Sequence, residues 1–589
     1  MKNLFLFILF LAQWPSILAQ TPSNLKWWNP IQHEFPVIEG QAWTSEVQDP
    51  FDRLPARAKD QVREPVWNLS KHSAGLMIRF RSNAEEIVVR YGVKGNLEMP
   101  HMPATGVSGL DLYAVNSDGQ WLWCRGNRNF SDTIVYRFNG LSPNDSYHQM
   151  GREYRLYLPL YNSVTWIEIG VADDTYFAPL PVRKEKPIVA YGTSIAHGAC
   201  ASRPGMAWTG ILGRKLDRPL INLAFSGNGR LEKELIELIG EIAAKVYILD
   251  CLPNLTSAET YDDAELTKRI LESVRSLKAK RPGVPILLVD HAGYTDGFIV
   301  PNRLTAYTRV NRIQQAAFSQ LKAEGYQDLF YLTNEEINLQ LDDMVDGTHP
   351  NDLGMMHYAE GYEKALRHLL KEPIGDVSTT QACIQYREPS NYDWENRHRD
   401  ILDMNKNAPP KSIFIANSII HFWGGLPRTK LVREEASWEK TFTPLGLRNY
   451  AYGWDRIENV LWRVYHDELD GFSAEKIMIM IGTNNLHLNT NEEVLEGLEM
   501  LVEAIKARQP QAEITLMGLL PRRKYEERIA NLNLQIAQLA GTANINYADL
   551  GNIFLKPDQT IEETLFSDGL HPNEAGYRKL GVALKPLLE

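Results

Sequence analysis

Pro187-Ile-Val-Ala-Tyr-Gly-Thr-Ser194-Ile and Ser412-Ile-Phe-Ile-Ala-Asn-Ser418-Ile each run apolar up to a serine. Far downstream of each, the same short phrase recurs, as Asp346-Gly-Thr-His349-Pro-Asn and Asp568-Gly-Leu-His571-Pro-Asn. The serine-to-aspartate separations are 152 and 150 residues. An unbroken apolar run reads as a strand buried on both faces, which is a strand of a parallel sheet covered by helices. In such sheets reacting groups collect beyond the carboxyl ends of the strands. A serine there, with Asp-x-x-His a domain length later, supplies a nucleophile, a base and an orienter. The chain carries the set twice, which predicts two tandem hydrolase domains.

Around these landmarks, apolar strands alternate with amphipathic helices. Strand-like runs Ile188-Val-Ala-Tyr, Val246-Tyr-Ile-Leu, Ile286-Leu-Leu-Val and Leu329-Phe-Tyr-Leu are separated by helical patterns over 231–244, 263–280 and 305–324. The alternation restarts with Ile413-Phe-Ile, Ile477-Met-Ile-Met-Ile, Ile514-Thr-Leu-Met and Ile545-Asn-Tyr. This predicts α/β architecture, with a parallel, doubly wound sheet in each of two domains over 184–372 and 411–589. A polar stretch over 373–410 reads as a connector with a helix near 392–404. Over 20–183 the segments are short, β-branched or aromatic, and divided by Gly, Asn, Asp and Pro, as in Leu76-Met-Ile-Arg-Phe-Arg and Glu86-Ile-Val-Val-Arg-Tyr. That texture predicts an N-terminal β-sandwich. Trp27, Trp28, Trp43, Trp67, Trp121, Trp123 and Trp166 fall in this part. They invite a sugar-stacking hypothesis, although tryptophan in a sandwich is more often core.

The 589 residues are 44% hydrophobic and 23% charged, which is ordinary globular composition. A net charge of −11 argues against nucleic acid as a partner, since phosphate recognition relies on clustered Lys and Arg. Met1-Lys-Asn followed by an apolar run and Ser16-Ile-Leu-Ala19-Gln20 reads as a secretory signal over 1–19. Its apolar core is too short for a stable membrane span, so a secreted or periplasmic location is expected. Cys124, Cys200, Cys251 and Cys383 are widely and irregularly spaced. They form neither a zinc ribbon nor a disulfide framework, and leave room for one or two bridges after export.

A tetrahedral oxyanion needs donors besides the serine amide, and two further blocks supply them in each domain. The first has Asn222-Leu-Ala-Phe-Ser-Gly227-Asn228 and Leu249-Asp-Cys-Leu-Pro-Asn254. The second has Arg448-Asn-Tyr-Ala-Tyr-Gly453-Trp454-Asp455 and Ile481-Gly-Thr-Asn484-Asn485. Four blocks in one order, twice, resemble the SGNH, or GDSL-type, hydrolases over about 186–370 and 411–589. The second copy resembles the platelet-activating-factor acetylhydrolase branch through Gly453-Trp-Asp-Arg-Ile-Glu-Asn-Val-Leu-Trp-Arg463. Gly109-Leu-Asp-Leu-Tyr113 is similar to the signature of an N-terminal module that precedes SGNH esterases. The resemblance implies three-layer α/β/α, flavodoxin-like domains and ester hydrolysis, commonly deacetylation, without metal or other cofactor. It implies Ser194 and Ser418 as nucleophiles, His349 and His571 as bases, and Asp346 and Asp568 as orienters. The implied oxyanion donors are Gly227 and Asn254 in one domain and Asn484 with Trp454 or Gly453 in the other.

Three departures from the family pattern carry expectations. The residue before each nucleophile is Thr193 or Asn417 instead of aspartate, and either side chain is expected to hold the turn by a hydrogen bond. Trp454 stands where the family has its oxyanion glycine. Its own backbone amide can still donate, while its indole is expected to crowd the acyl side or reshape the loop, and Gly453 is the alternative donor after a shift of one. His197 and His421 each lie three residues after their serine but lack an orienting carboxylate, and read as pocket lining, with plain structural packing as the alternative. The expected activity is removal of O-acyl groups, acetyl foremost, from carbohydrate. A lipid or small-ester acylhydrolase, and a glycan-binding protein with an inactive hydrolase copy, are the alternatives.

Overall fold

The computed structural model describes residues 24–142 and 151–589; the expected leader lies outside them. The N-terminal part is a sandwich of two antiparallel sheets. One orders Leu25–Trp28, Val164–Ala172, Glu86–Val93, Ile134–Asn139 and Asn127–Asn129. The other orders Phe177–Pro179, Met77–Ser82, Arg152–Tyr157, Asp111–Val115 and Trp121–Cys124, with Ile38–Glu39 also paired to Met77–Ser82. Alternate residues face inward, as the period of a strand requires: Ile87, Val89 and Tyr91 meet Ile78, Phe80, Leu112 and Leu156 in the core. Trp43 and Trp67 are buried, but in the core of the following α/β domain and not between the sheets. Trp123 is 52% exposed.

Each α/β domain holds a five-stranded parallel sheet. The first orders Leu220–Asn222, Ile188–Gly192, Val246–Asp250, Ile286–Val289 and Leu329–Leu332. The second orders Leu447–Ala451, Ser412–Ala416, Lys476–Met480, Glu513–Met517 and Asn546–Ala548. Counted within each domain this is the 2-1-3-4-5 order of flavodoxin-like sheets. Side chains alternate between two apolar layers. Val189 and Tyr191 pack on one face and Ile188 and Ala190 on the other; Ile413 and Ile415 oppose Phe414 and Ala416 in the second domain. The serine strand lies between the strand that leads to the oxyanion loop and the strand that leads to the asparagine. Three functional loops therefore leave neighbouring strands at one edge of each sheet.

The connector is structural. Its helix, Trp394–Asn407, sends Trp394 and Ile401 into the second domain's core, which also takes Val115 from the sandwich. Buried charges lock the parts together. Arg79 of the sandwich bonds Glu153 at 3.0 Å and Glu395 of the connector helix at 3.0 and 2.9 Å. Tyr386 bonds Glu153, and Arg155 reaches Asp217 of the first α/β domain at 2.6 Å. The same Asp217 accepts from Trp462 of the second at 3.0 Å. All four cysteines are free, so the bridges that their number permitted do not form. No helix among the described residues is long and apolar enough to cross a membrane.

Candidate active site

Both serines begin a four-residue helix directly after their strand, Ser194–His197 and Ser418–His421. Ser194 Oγ lies 2.9 Å from His349 Nε2, and His349 Nδ1 lies 2.7 Å from Asp346 Oδ2. In the second domain the distances are 2.8 Å for Ser418 Oγ to His571 Nε2 and 2.7 Å for His571 Nδ1 to Asp568 Oδ2. Each aspartate also accepts the backbone N–H of its own histidine at 2.8 Å. The tight loop depends on Gly347 and Gly569, whose φ values of +76° and +81° are costly for any other residue. Burial raises the carboxyl pKa of Asp346 and Asp568, but the hydrogen bonds from histidine side chain and backbone outweigh it and hold both below the usual range. Asn351 and Asn573 then cap the following helices, accepting from Leu353 N at 2.9 Å and Gly576 N at 3.1 Å. A rigid helix start thus anchors each imidazole.

The oxyanion loops correspond residue by residue. Asn222 ends its strand and Asn449 lies two residues before the end of its own, yet the two play one part: each Oδ1 accepts the N–H two residues on, at 3.0 and 2.9 Å. Each Nδ2 reaches the carbonyl two residues after the serine, Ala196 at 2.7 Å and Ile420 at 2.9 Å. Counting on five residues puts Gly227 opposite Trp454. Both are left-handed, at φ +68° and +60°. Among the described residues neither backbone N–H has an acceptor, nor do those of Ser194 and Ser418. Asn254 and Asn484 brace their loops, donating to Gly229 O at 3.3 Å and Asp455 O at 3.0 Å. Each amide keeps a second N–H.

Several expectations need correction. The Gly453 N–H is occupied, donating to His421 Nδ1 at 2.9 Å, so no shift by one residue frees it. Trp454 is 39% exposed, and it keeps the left-handed turn that Gly227 makes in the first domain, so the loop is not reshaped. His197 and His421 are packing and positioning groups rather than pocket lining, 0% and 1% exposed. His197 Nε2 lies 2.8 Å from Leu160 O with its ring stacked on Tyr161. Burial and nearby arginines hold both imidazoles well below the ordinary histidine range. Asn417 does steady its turn, accepting from Ile419 N at 3.0 Å. Thr193 Oγ1 is buried with no partner among the described residues, so only one of the two substitutes bonds as expected.

What the sequence reading missed is a pair of clamps. Arg53, in the N-terminal part, donates to Asn222 O at 2.9 Å and Ala224 O at 2.8 Å. Arg397, on the connector helix, donates to the equivalent carbonyls, Asn449 O at 2.9 Å and Ala451 O at 3.0 Å. Both side chains are buried and donate to carbonyls with no carboxylate bonded to them, so burial pushes Arg53 down to about 9 and Arg397 down as well. The second loop is held further. Gln385 and Tyr392 donate to Gly453 O at 2.9 and 2.7 Å, and Arg387 donates to Trp454 O at 2.9 Å. Trp394 Nε1 donates to Asp455 Oδ1 at 2.8 Å. Arg387 is in turn bonded to Asp118 of the sandwich at 2.7 Å. A left-handed non-glycine residue costs roughly 1–2 kcal/mol and persists where its surroundings over-determine it; Trp454 meets that condition. The two arginines lie at unequal distances before their serines, so no motif spacing announces them.

Among the described residues no group of three or more His, Cys, Asp and Glu side chains is placed to hold a metal ion. Comparison with known proteins assigns the three parts separately. Residues 185–367 and 417–579 match GDSL-like lipase/acylhydrolase families, and 25–177 match the N-terminal module of SGNH-type esterases. The alpha2 subunit of human platelet-activating factor acetylhydrolase IB is 34% identical over 202 residues, 33% of this chain and 82% of that one. The human alpha1 subunit is 30% identical over 200 residues, 33% of this chain and 82% of that one. The crystal structure of a candidate GDSL-like lipase from Bacteroides ovatus is 31% identical with a TM-score of 0.52, covering 59% of this chain and 98% of that one.

Proposed function

The chain belongs to the GDSL-like lipase/acylhydrolase family through both α/β domains, and from that premise we propose a secreted serine esterase that removes O-acetyl groups from carbohydrate at two centres. The observation that carries the esterase reading is the relay from serine Oγ through imidazole to aspartate, built twice with distances of 2.7 to 2.9 Å. In the first centre Ser194 Oγ attacks the ester carbonyl carbon and passes its proton to His349 Nε2. Asp346, hydrogen-bonded at Nδ1, sets the tautomer and stabilises the imidazolium. The oxyanion receives the Ser194 and Gly227 N–H groups and the free Asn254 N–H. His349 returns the proton to the departing alkoxide, and water, deprotonated by the same imidazole, releases the acid from the acyl-serine. Ser418, His571, Asp568, Trp454 N–H and Asn484 act likewise in the second.

Carbohydrate as the alcohol component rests on the sandwich seated against the first catalytic domain, and export rests on the apolar stretch at residues 4–11. One observation favours a second reading, a lipid or small-ester acylhydrolase. Phe298 and Ile299 are 87% and 86% exposed at the end of a loop that Arg303 ties to Gly347 O and Thr348 Oγ1 at 2.7 and 2.9 Å. That apolar tip adjoins the His349 loop. The test is acetate release from a panel of acetylated glycans by the wild type, Ser194→Ala, Ser418→Ala and the double variant. Each single variant should retain one centre and the double variant neither. Wild-type release by the double variant refutes the serine assignment. Cleavage of acetylated lipids with none of the glycans selects the second reading, and glycan binding without hydrolysis selects a binding protein.

A further inference from the structure

We propose that the cleft between the sandwich and the first α/β domain binds a uronate-bearing stretch of polysaccharide, with Trp123 as stacking platform and Arg125 and Arg128 as carboxylate receptors. The inference rests on the carbohydrate reading above and names its substrate class. The cleft encloses about 710 Å³ and is lined by Trp123, Arg125, Asn127 and Arg128 of the sandwich and Ser202 and Arg203 of the α/β domain. That is the size of a typical ligand site.

Trp123 leaves half its surface in water yet is fixed in place. Its Nε1 donates to Asp111 Oδ1 at 2.8 Å, and the Arg203 guanidinium, itself paired with Asp111, lies 4.8 Å from the ring centroid. A ring held by its polar edge and one cation is oriented before any ligand arrives, which lowers the entropy lost on binding. Arg125 and Arg128 are exposed, and among the described residues neither has a hydrogen-bonding or ion-pair partner. Two unpaired guanidinium groups facing one cleft run against a chain of net charge −11. Their planar donors match carboxylates in charge-assisted, bidentate pairs, whereas the hydroxyls of a neutral sugar offer them only single, uncharged acceptors.

One wall of the cleft is tied by hydrogen bonds to the segment that follows His349. Ser202 N and Oγ donate to Asp352 at 2.9 and 2.5 Å, and Asp352 follows His349 by three residues. Thr105 Oγ1 donates to Ser202 O at 2.6 Å. The strand-to-helix segment before Thr105 brings His101 to 6.0 Å, ring to ring, from His349. Ser202 on the cleft wall is thus one hydrogen bond from the helix that starts just beyond His349.

The test uses the full chain with Ser194→Ala and Ser418→Ala, so that ligands are not consumed, and titrates oligogalacturonate against xylo-oligosaccharide of equal length by calorimetry. The uronate should bind at least tenfold tighter, and the advantage should shrink with added salt. Arg125→Ala with Arg128→Ala should abolish the advantage while sparing the neutral ligand; Trp123→Ala should weaken both. With the serines intact, these variants should hydrolyse a small acetyl ester at the wild-type rate, which reports correct folding. Equal affinity for both ligands, or a uronate preference that survives loss of both arginines, overturns the proposal. So does tighter binding of polyphosphate than of uronate. Failure here leaves acetate release from neutral glycans unaffected, so the two readings fail separately.

Discussion

Glu388 marks a residue-scale difference between the two centres. Its carboxyl lies against Gly453, where a Cβ would come within 2.1 Å of Oε2. That Oε2 has no partner among the described residues. Burial raises its pKa to about 7, with the hydrogen bond from Asn391 and the charge of Arg433 opposing. Because the folded-state value lies above the unfolded one, ionising Glu388 costs stability progressively as pH rises from the ordinary glutamate range through 7. Above that it places a negative charge beside the second oxyanion loop, where negative charge must develop. The second centre, isolated as Ser194→Ala, should therefore lose turnover with a midpoint near pH 7, and Glu388→Gln should remove the loss. The first centre, isolated as Ser418→Ala, should show none. Identical alkaline behaviour of the two centres would refute the assignment to Glu388.

Each oxyanion loop is set by an element that precedes its α/β domain in the chain. In the second domain the connector segment 385–397 does this, and Arg387 is its link to the sandwich through Asp118. Losing a charge-assisted hydrogen bond to the Trp454 carbonyl removes roughly 1.5–3 kcal/mol. If that loss falls on the loop's alignment, Arg387→Ala in the Ser194→Ala background should lower kcat about tenfold to a hundredfold with KM little changed. The same substitution in the Ser418→Ala background should leave kcat alone. A rise in KM with kcat unchanged would show that Arg387 serves binding and not the oxyanion geometry.

Charges from the sandwich, the connector helix and the first α/β domain share a buried junction, which predicts that the whole molecule unfolds as one body. Arg79 alone joins two sandwich strands to the connector helix through Glu153 and Glu395. Removing one partner of a buried pair leaves the others uncompensated and costs about 3–5 kcal/mol. Arg79→Met should therefore lower the melting temperature of the full chain, and the thermal transition of the wild type should be single. Separate calorimetric transitions for the sandwich and the second α/β domain would contradict a shared junction.

The two serine-to-histidine sets and the parallel sheets were legible from residues 187–195, 346–351, 412–419 and 568–573, because strand burial and ester chemistry each restrict the residue types that can serve. The oxyanion glycine of the first domain and both asparagines were legible for the same reason. Their positions follow from strand ends, which are local. Which amide faces the second oxyanion was not. Gly453 and Trp454 are neighbours in the chain, and only the bond from Gly453 N to His421 separates their roles. Arg53, Arg397, Arg387 and Glu388 act on carbonyls and a glycine tens to more than a hundred residues away, so no spacing or periodicity registers them. The chain by itself determined the serine, histidine and aspartate sets and the parallel sheets that carry them. Tertiary packing alone decided what holds each loop in place, because a buried guanidinium or carboxyl takes its meaning from the groups folded around it.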